Sequence, residues 1–376
     1  MSLRFEILHR STLSGARVGV IHTPHGDIAT PGFVAVGTNG TLKAVDNGAE
    51  VCRSLDLMFC NTYHLLLQPG IQVIEKAGGL HAFIGRNQPI ITDSGGFQVF
   101  SLAYGSVADE LKSKGTKKTS SSVLKITENG VVFRSYRDGS RFELTPESTI
   151  GAQKVFGSDI IIPLDELPAY HTDLDQLKQS LDRTHRWELR SLQAHLNDPG
   201  QQSIYSVIHG GIYPDLRKKS CEFLTNLPFD GHAIGGSLGK NHEELEGVLA
   251  STVRHLPDEQ PRHLLGLGDL RSVDMGVTFG MDTFDSAYPT RAARHGVLYR
   301  LDQEPVRIKS TKYAVVFESI EKDCPCYTCQ HYTLSYLHHL LKAHEPVYLY
   351  LSSIHNVAFM SRYMARVRNM ILRNLI

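Results

Sequence analysis

Between residues 33 and 289 the chain repeats one pattern, a short apolar run that breaks off in polar or glycine residues. It occurs as FVAVGT (33–38), LMFCNTY (57–63), PIITDSGG (89–96), DIIIPLDE (159–166), YSVIHGG (205–211), HAIGGS (232–237), HLLGLG (263–268) and DTFDSAYP (282–289). Near-continuous apolar runs rich in β-branched residues suit strands buried on both faces, as in a parallel sheet. Helical patterns fill most of the intervals. Thr145-Pro146-Glu147 opens one with an N-cap and a proline at the first helical position, and another starts near Thr172/Asp173 and runs through LDQLKQSLDRTHRWELRSLQAHL. Others follow Pro214, Asn241 and Asp269. Eight buried strands alternating with helices predict an α/β fold, a (β/α)8 TIM barrel. A doubly wound open sheet is the alternative, but no GxGxxG follows the first strand.

Three segments fall outside this rhythm. Ala16–Pro31 reads as a hairpin around a Pro/Gly turn, and Gly130–Leu144 as an inserted hairpin turning at Arg137-Asp138-Gly139-Ser140. After Pro289 the chain becomes basic, then cysteine-rich, then helical over His331–Ala343 and from Ile354 onward. The expected organisation is a barrel with its N-terminal hairpin over 1–300, a metal-binding subdomain over 301–353, and the last barrel helix over 354–376.

At 376 residues and 41% hydrophobic content the chain can bury a full core, and disorder is excluded as a general state. The N-terminal residues MSLRFEILHR lack a secretory pattern, and no apolar stretch approaches the ~20 residues of a membrane span, so a cytoplasmic protein is expected. Formal net charge is zero, which argues against wholesale coating of nucleic acid. The distribution is uneven, however. From Ser286 onward 12 Lys/Arg face 6 Asp/Glu, and Lys112, Lys114, Lys117, Lys118 and Lys125 form a second basic cluster, a local footprint for a polyanion.

Candidate chemistry falls into two groups. Cys324-Pro-Cys326-Tyr-Thr-Cys329 is a C-x-C-x2-C array; with one imidazole it would make a closed tetrahedral Cys3His set suited to structural zinc. His355 lies 26 residues beyond the last thiol, and His331, His338, His339 and His344 compete for the fourth place. The other group sits on the strand tails, because barrel active sites gather where strands end. The tails nominate Asn61, Asp93, Asp165, His209, Gly236, Gly266 and Asp285. Asp93 precedes two glycines that would let a substrate approach the backbone, and Asp285 lies on the eighth strand. Paired carboxylates at an anomeric carbon support double displacement, in which one attacks while the other donates and later recovers a proton. Phe97 is placed to stack on a planar base, and Arg291 and Arg294 to clamp phosphates.

ITDSGGFQ (91–98), FRSYRDGSRFELTPE (133–147), GSDIIIPLDE (157–166), HGGIYPDLR (209–217), GMDTFDSAYPTRAARHG (280–296) and CPCYTCQ…IHN (324–356) together resemble the tRNA-guanine transglycosylase (queuine tRNA-ribosyltransferase) family, most closely its bacterial branch, over nearly the whole chain. The resemblance implies a zinc-bearing TIM barrel acting at position 34 of tRNAs with a G-U-N anticodon, where guanine is exchanged for a free 7-deazaguanine base. It implies Asp285 as nucleophile and Asp93 as general acid/base, with Phe97, Asp165, His209, Gly236 and Leu265 around the base. It also implies Cys324, Cys326, Cys329 and His355 as ligands of one structural Zn2+ per subunit, and a homodimer, for which Tyr332, Tyr336 and His339 form a suitable stripe.

The chain departs from the bacterial pattern at His209 (glutamine there), Leu265 (methionine) and Ser286 (cysteine), and in a shortened loop, Gly235–Lys240, with lysine where a carboxylate is expected. All but Ser286 concern the incoming base. An inward Lys240 would disfavour the ammonium of aminomethyl-deazaguanine and make queuine a serious candidate. A non-catalytic tRNA-binding subunit and a zinc hydrolase are the other readings; retention of both aspartates speaks against the first, and complete Cys3His ligation against the second.

Overall fold

A computed structural model describes residues 3–104 and 123–376. Lys112, Lys114, Lys117 and Lys118 of the second basic cluster lie outside the described residues; Lys125 falls in the strand Val123–Ile126.

The eight apolar runs form eight parallel strands that close on themselves in chain order: Gly32–Val36, Met58–Cys60, Ile90–Thr92, Ile160–Ile161, Ser203–Ile208, Gly231–Ile234, Arg262–Leu264 and Thr283–Ser286. Closure comes from the eighth strand pairing with the first, Asp285 opposite Val34. The runs are apolar throughout because both faces are covered: inward residues such as Val34, Phe59, Ile91, Tyr205 and Val207 pack on one another, and outward ones pack under the helices. Those helices start as their caps direct. Thr145 and Ser148 form a reciprocal capping box, and the side chains of Asp173, Asn241 and Asp269 each accept from a backbone N–H in the first turn.

The expected N-terminal hairpin, Arg17–Thr23 paired with Gly26–Thr30, gains a third strand, Arg4–Arg10. This sheet plugs the N-terminal end of the barrel, with Ile21 and Ile28 entering the barrel's inner cluster. Buried Arg17 forms a two-point ion pair with Asp282 at the foot of the eighth strand, at 2.9 and 2.5 Å. On the same end His25 and His81 stack at 3.6 Å, and Asp159 accepts from the His25 ring at 2.8 Å and from the Ile90 N–H. One mouth is therefore filled, which leaves the C-terminal mouth for chemistry. The inserted hairpin, Val131–Arg134 with Arg141–Leu144, likewise gains a third strand, Val123–Ile126.

The last helix runs from Val347 to Leu372, so residue 354 lies inside it and does not mark its start. Pro346 sits just before the first turn, where a missing N–H costs nothing, and the Ser352-Ser353 pair that interrupts the apolar pattern is buried. This helix packs on Tyr288–Arg294 and on the first barrel strand. No described helix is long and apolar enough to cross a membrane.

Candidate active site and metal centre

Each nominated residue lies at or just past the C-terminal end of its strand, so barrel closure brings them to one mouth. Asp93 follows the third strand and is 8% exposed. Its Oδ2 accepts from Asn61 Nδ2 (2.7 Å) and Gln98 Nε2 (2.9 Å), and its Oδ1 from the Thr62 N–H (2.8 Å). Burial nevertheless dominates and raises its pKa to about 6; the three donors hold it down, and nearby Asp165 adds a small upward push. A carboxyl that titrates there is suited to giving and taking a proton near neutral pH. Gly95, at φ +85°, lies against the Tyr63 backbone, where a Cβ would come within 3.0 Å of the Tyr63 nitrogen. That contact seats the turn after Asp93, and Phe97 beyond it is 43% exposed.

Asp285 is held differently. Its Oδ1 accepts from the Gly266 N–H (2.8 Å) and sits 3.1 Å from His263 Nε2. Between these strands lies a pocket. His209 Nε2 is 2.8 Å from Asp165 Oδ2, so the two expected base-contacting side chains are paired with each other. A Cβ on Gly236 would come within 2.7 Å of His209 Nδ1, and one on Gly235 within 3.2 Å of Leu265 Cδ1. Bare backbone is what allows these groups to converge. A cavity of about 110 Å³ continues past His209 and Gly236 toward Glu166, Tyr170 and Tyr213. Lys240 stands at its outer rim, exposed, with Nζ 3.5 Å from Glu244 Oε1 and 5.9 Å from the Tyr170 ring centre. It is not aimed inward, so the condition for its repelling an ammonium is not met.

Arg291 and Arg294 end the short helix after the eighth strand. Arg294 Nη1 is buried with no hydrogen-bond partner among the described residues, and burial plus the Arg291 charge lowers its pKa. An unpaired guanidinium nitrogen on the helix that follows the Asp285 strand suits an anionic ligand.

Two residues that bond to groups at the mouth carried no obvious sign in the sequence. Buried Arg217 donates to the carbonyls of Ile208, Gly211, Gly235 and Ser237, tying the loops after the fifth and sixth strands together. His263 reads as one polar residue in an apolar run; the available signal is its period-two spacing from Leu265, which places both inside the barrel.

The thiols of Cys324, Cys326 and Cys329 surround His355 Nδ1 at 3.8, 3.6 and 3.3 Å, and all four residues are buried. Zinc bonds of usual length at tetrahedral angles would set sulfur and nitrogen roughly 3.6 Å apart, so the donor set fits that ion. His355 Nε2 donates to the Tyr299 carbonyl at 2.7 Å, which turns Nδ1 toward the thiols. Of the competing histidines, His338 Nδ1 instead bonds the Ile308 carbonyl, and His331, His339 and His344 are exposed.

Residues 12–375 match the family model described as queuine tRNA-ribosyltransferase. Curated proteins of that name are 61% identical over 99% of this chain and 96% of the relative in Protochlamydia amoebophila, and 54% identical over the full length of both in Chlamydia muridarum. One from Chlamydia felis is 52% identical, again over the full length of both chains. With a closed barrel, two carboxylates at its open mouth and a buried Cys3His group, the chain belongs to the queuine tRNA-ribosyltransferase family and is an enzyme of the pentosyltransferase class.

Proposed function

We propose that the enzyme exchanges guanine at position 34 of tRNAs with a G-U-N anticodon for a free 7-deazaguanine base, by double displacement. Asp285 attacks the anomeric carbon and forms a covalent tRNA intermediate. Asp93 protonates the departing guanine and then takes the proton from the incoming base. The observation that carries this reading is the contrast between two buried carboxylates at one mouth: Asp93 takes donors on both oxygens and is raised to about 6, while Asp285 is anchored through a single oxygen. Phe97 stacks on the base, Asp165, His209, Gly236 and Leu265 bound its pocket, and Arg291 and Arg294 hold flanking phosphates.

The metal is one structural Zn2+ per subunit, held by Cys324, Cys326, Cys329 and His355; it supplies rigidity and no chemistry. The active unit is a homodimer. Tyr332 and Tyr336 stack at 5.4 Å, Tyr336 is 43% exposed, and Val315 and Phe317 beside them are 72% and 75% exposed. The compartment is the cytoplasm, in keeping with six unpaired cysteines.

The incoming base is aminomethyl-deazaguanine or queuine, and the cavity past His209 lies where a substituent on that base would extend. The deciding experiment loads a G-U-N tRNA with labelled guanine at position 34 and chases with each base. Release together with a denaturation-stable adduct, lost in Asp285→Asn, is expected. Folded enzyme that binds the tRNA but forms no adduct and releases no label would return the protein to the class of non-catalytic tRNA-binding subunits.

A further inference from the structure

We propose that His263 is a positioning residue that fixes one carboxylate oxygen of Asp285 so that the other faces the sugar; this rests on Asp285 being the nucleophile. The imidazole is fully buried on the seventh strand and reaches across to the eighth. The register pairs His263 with Thr283, two residues before Asp285 on the same inward face, so one ring touches both side chains. Nδ1 lies 2.8 Å from Thr283 Oγ1, and Nε2 lies 3.1 Å from Asp285 Oδ1. If the threonine hydroxyl donates to Nδ1, the ring carries its hydrogen on Nε2 and donates to the carboxylate. Phe59 lies nearly parallel to the ring, 17° from it, with centroids 6.2 Å apart.

Oδ1 thus has two donors, His263 and the Gly266 N–H, while Oδ2 has no hydrogen bond among the described residues. A carboxylate pinned at one oxygen attacks with the other. The Oδ2 lone pair forms the bond to the anomeric carbon as the glycosidic C–N bond breaks, its electron pair leaving with the base, which takes a proton from Asp93. In the resulting ester Oδ1 is the carbonyl oxygen. When the incoming base, losing its proton to Asp93, displaces Asp285, the returning charge spreads onto the oxygen where the two donors already wait.

The test compares His263→Leu, which removes the donor, with His263→Gln, whose amide nitrogen can donate from a similar place. In the leucine variant kcat for guanine exchange should fall about 10- to 100-fold while KM for tRNA stays within about twofold, and both formation and discharge of the adduct should slow. The glutamine variant should regain most of the rate. Thermal melts monitor folding; should the leucine variant not fold, Thr283→Val, which frees the ring, should lower kcat by about 3- to 10-fold. A folded leucine variant that forms adduct at the wild-type rate, or a glutamine variant no better than leucine, overturns the inference. Wild-type enzyme that forms no adduct at Asp285 overturns instead the reading on which it rests.

Discussion

The Asp93 carboxylate accepts from three neutral donors and meets no cation among them, so its titration is set by burial against hydrogen bonding. The Asn61 amide stabilises the charged form. In Asn61→Ala the carboxyl keeps its proton to higher pH, and the limb on which guanine release falls as Asp93 deprotonates should move up by about one unit. A pH profile of single-turnover release reads this directly; an unmoved limb would mean that another group controls it. At Gly236, φ is +75° and the His209 ring lies where a Cβ would go. Gly236→Ala should raise KM for the free base severalfold, because left-handed alanine costs roughly 1 kcal/mol and the ring must shift. Single residues were legible in the sequence where a barrel rule pointed at them, as with Asp93 and Asp285 at strand tails. His263, Arg217 and the Glu244 partner of Lys240 were not, because each acts through a contact whose other half is fixed only by the fold.

Elements were legible where burial or capping leaves a local mark. Strands covered on both faces keep their apolar runs, and Thr145, Asp173, Asn241 and Asp269 announce helix starts. The added strands Arg4–Arg10 and Val123–Ile126 had no such mark, since neither has a buried residue. The capping box gives a direct check: Thr145→Ala should cost about 1 kcal/mol, seen as a lower midpoint in urea without loss of exchange activity. The Cys3His group joins two elements, the Cys324–Cys329 turn and the middle of the last helix. His355→Ala should abolish stoichiometric zinc and leave the 301–346 segment open to proteases, and stripping the metal from wild type should do the same. Zinc analysis beside limited proteolysis checks both; retention of one zinc per chain in the alanine variant would reassign the fourth ligand.

For the whole molecule, the two ends of the barrel divide the work: the N-terminal sheet seals one, and the other carries the pocket. The aromatic stripe lies just beyond the Cys324–Cys329 turn, on the segment that packs against the last helix. If the protein is the proposed dimer, Tyr336→Asp should convert it to a monomer, seen by light scattering after gel filtration, with the melting curve otherwise intact. The seal has a further consequence for biosynthesis. Arg17 waits for Asp282, Pro31 for Arg368, His9 for Asn374, and the first strand for the eighth. A ribosome emits the seal first and its anchors last, so the nascent chain must hold Ile21 and Ile28 uncovered until almost everything else has emerged. Polypeptides cut short before residue 282 would expose unpaired strand edges and this apolar plug together, which makes interrupted synthesis a circumstance that exposes the protein to aggregation and to chaperone capture.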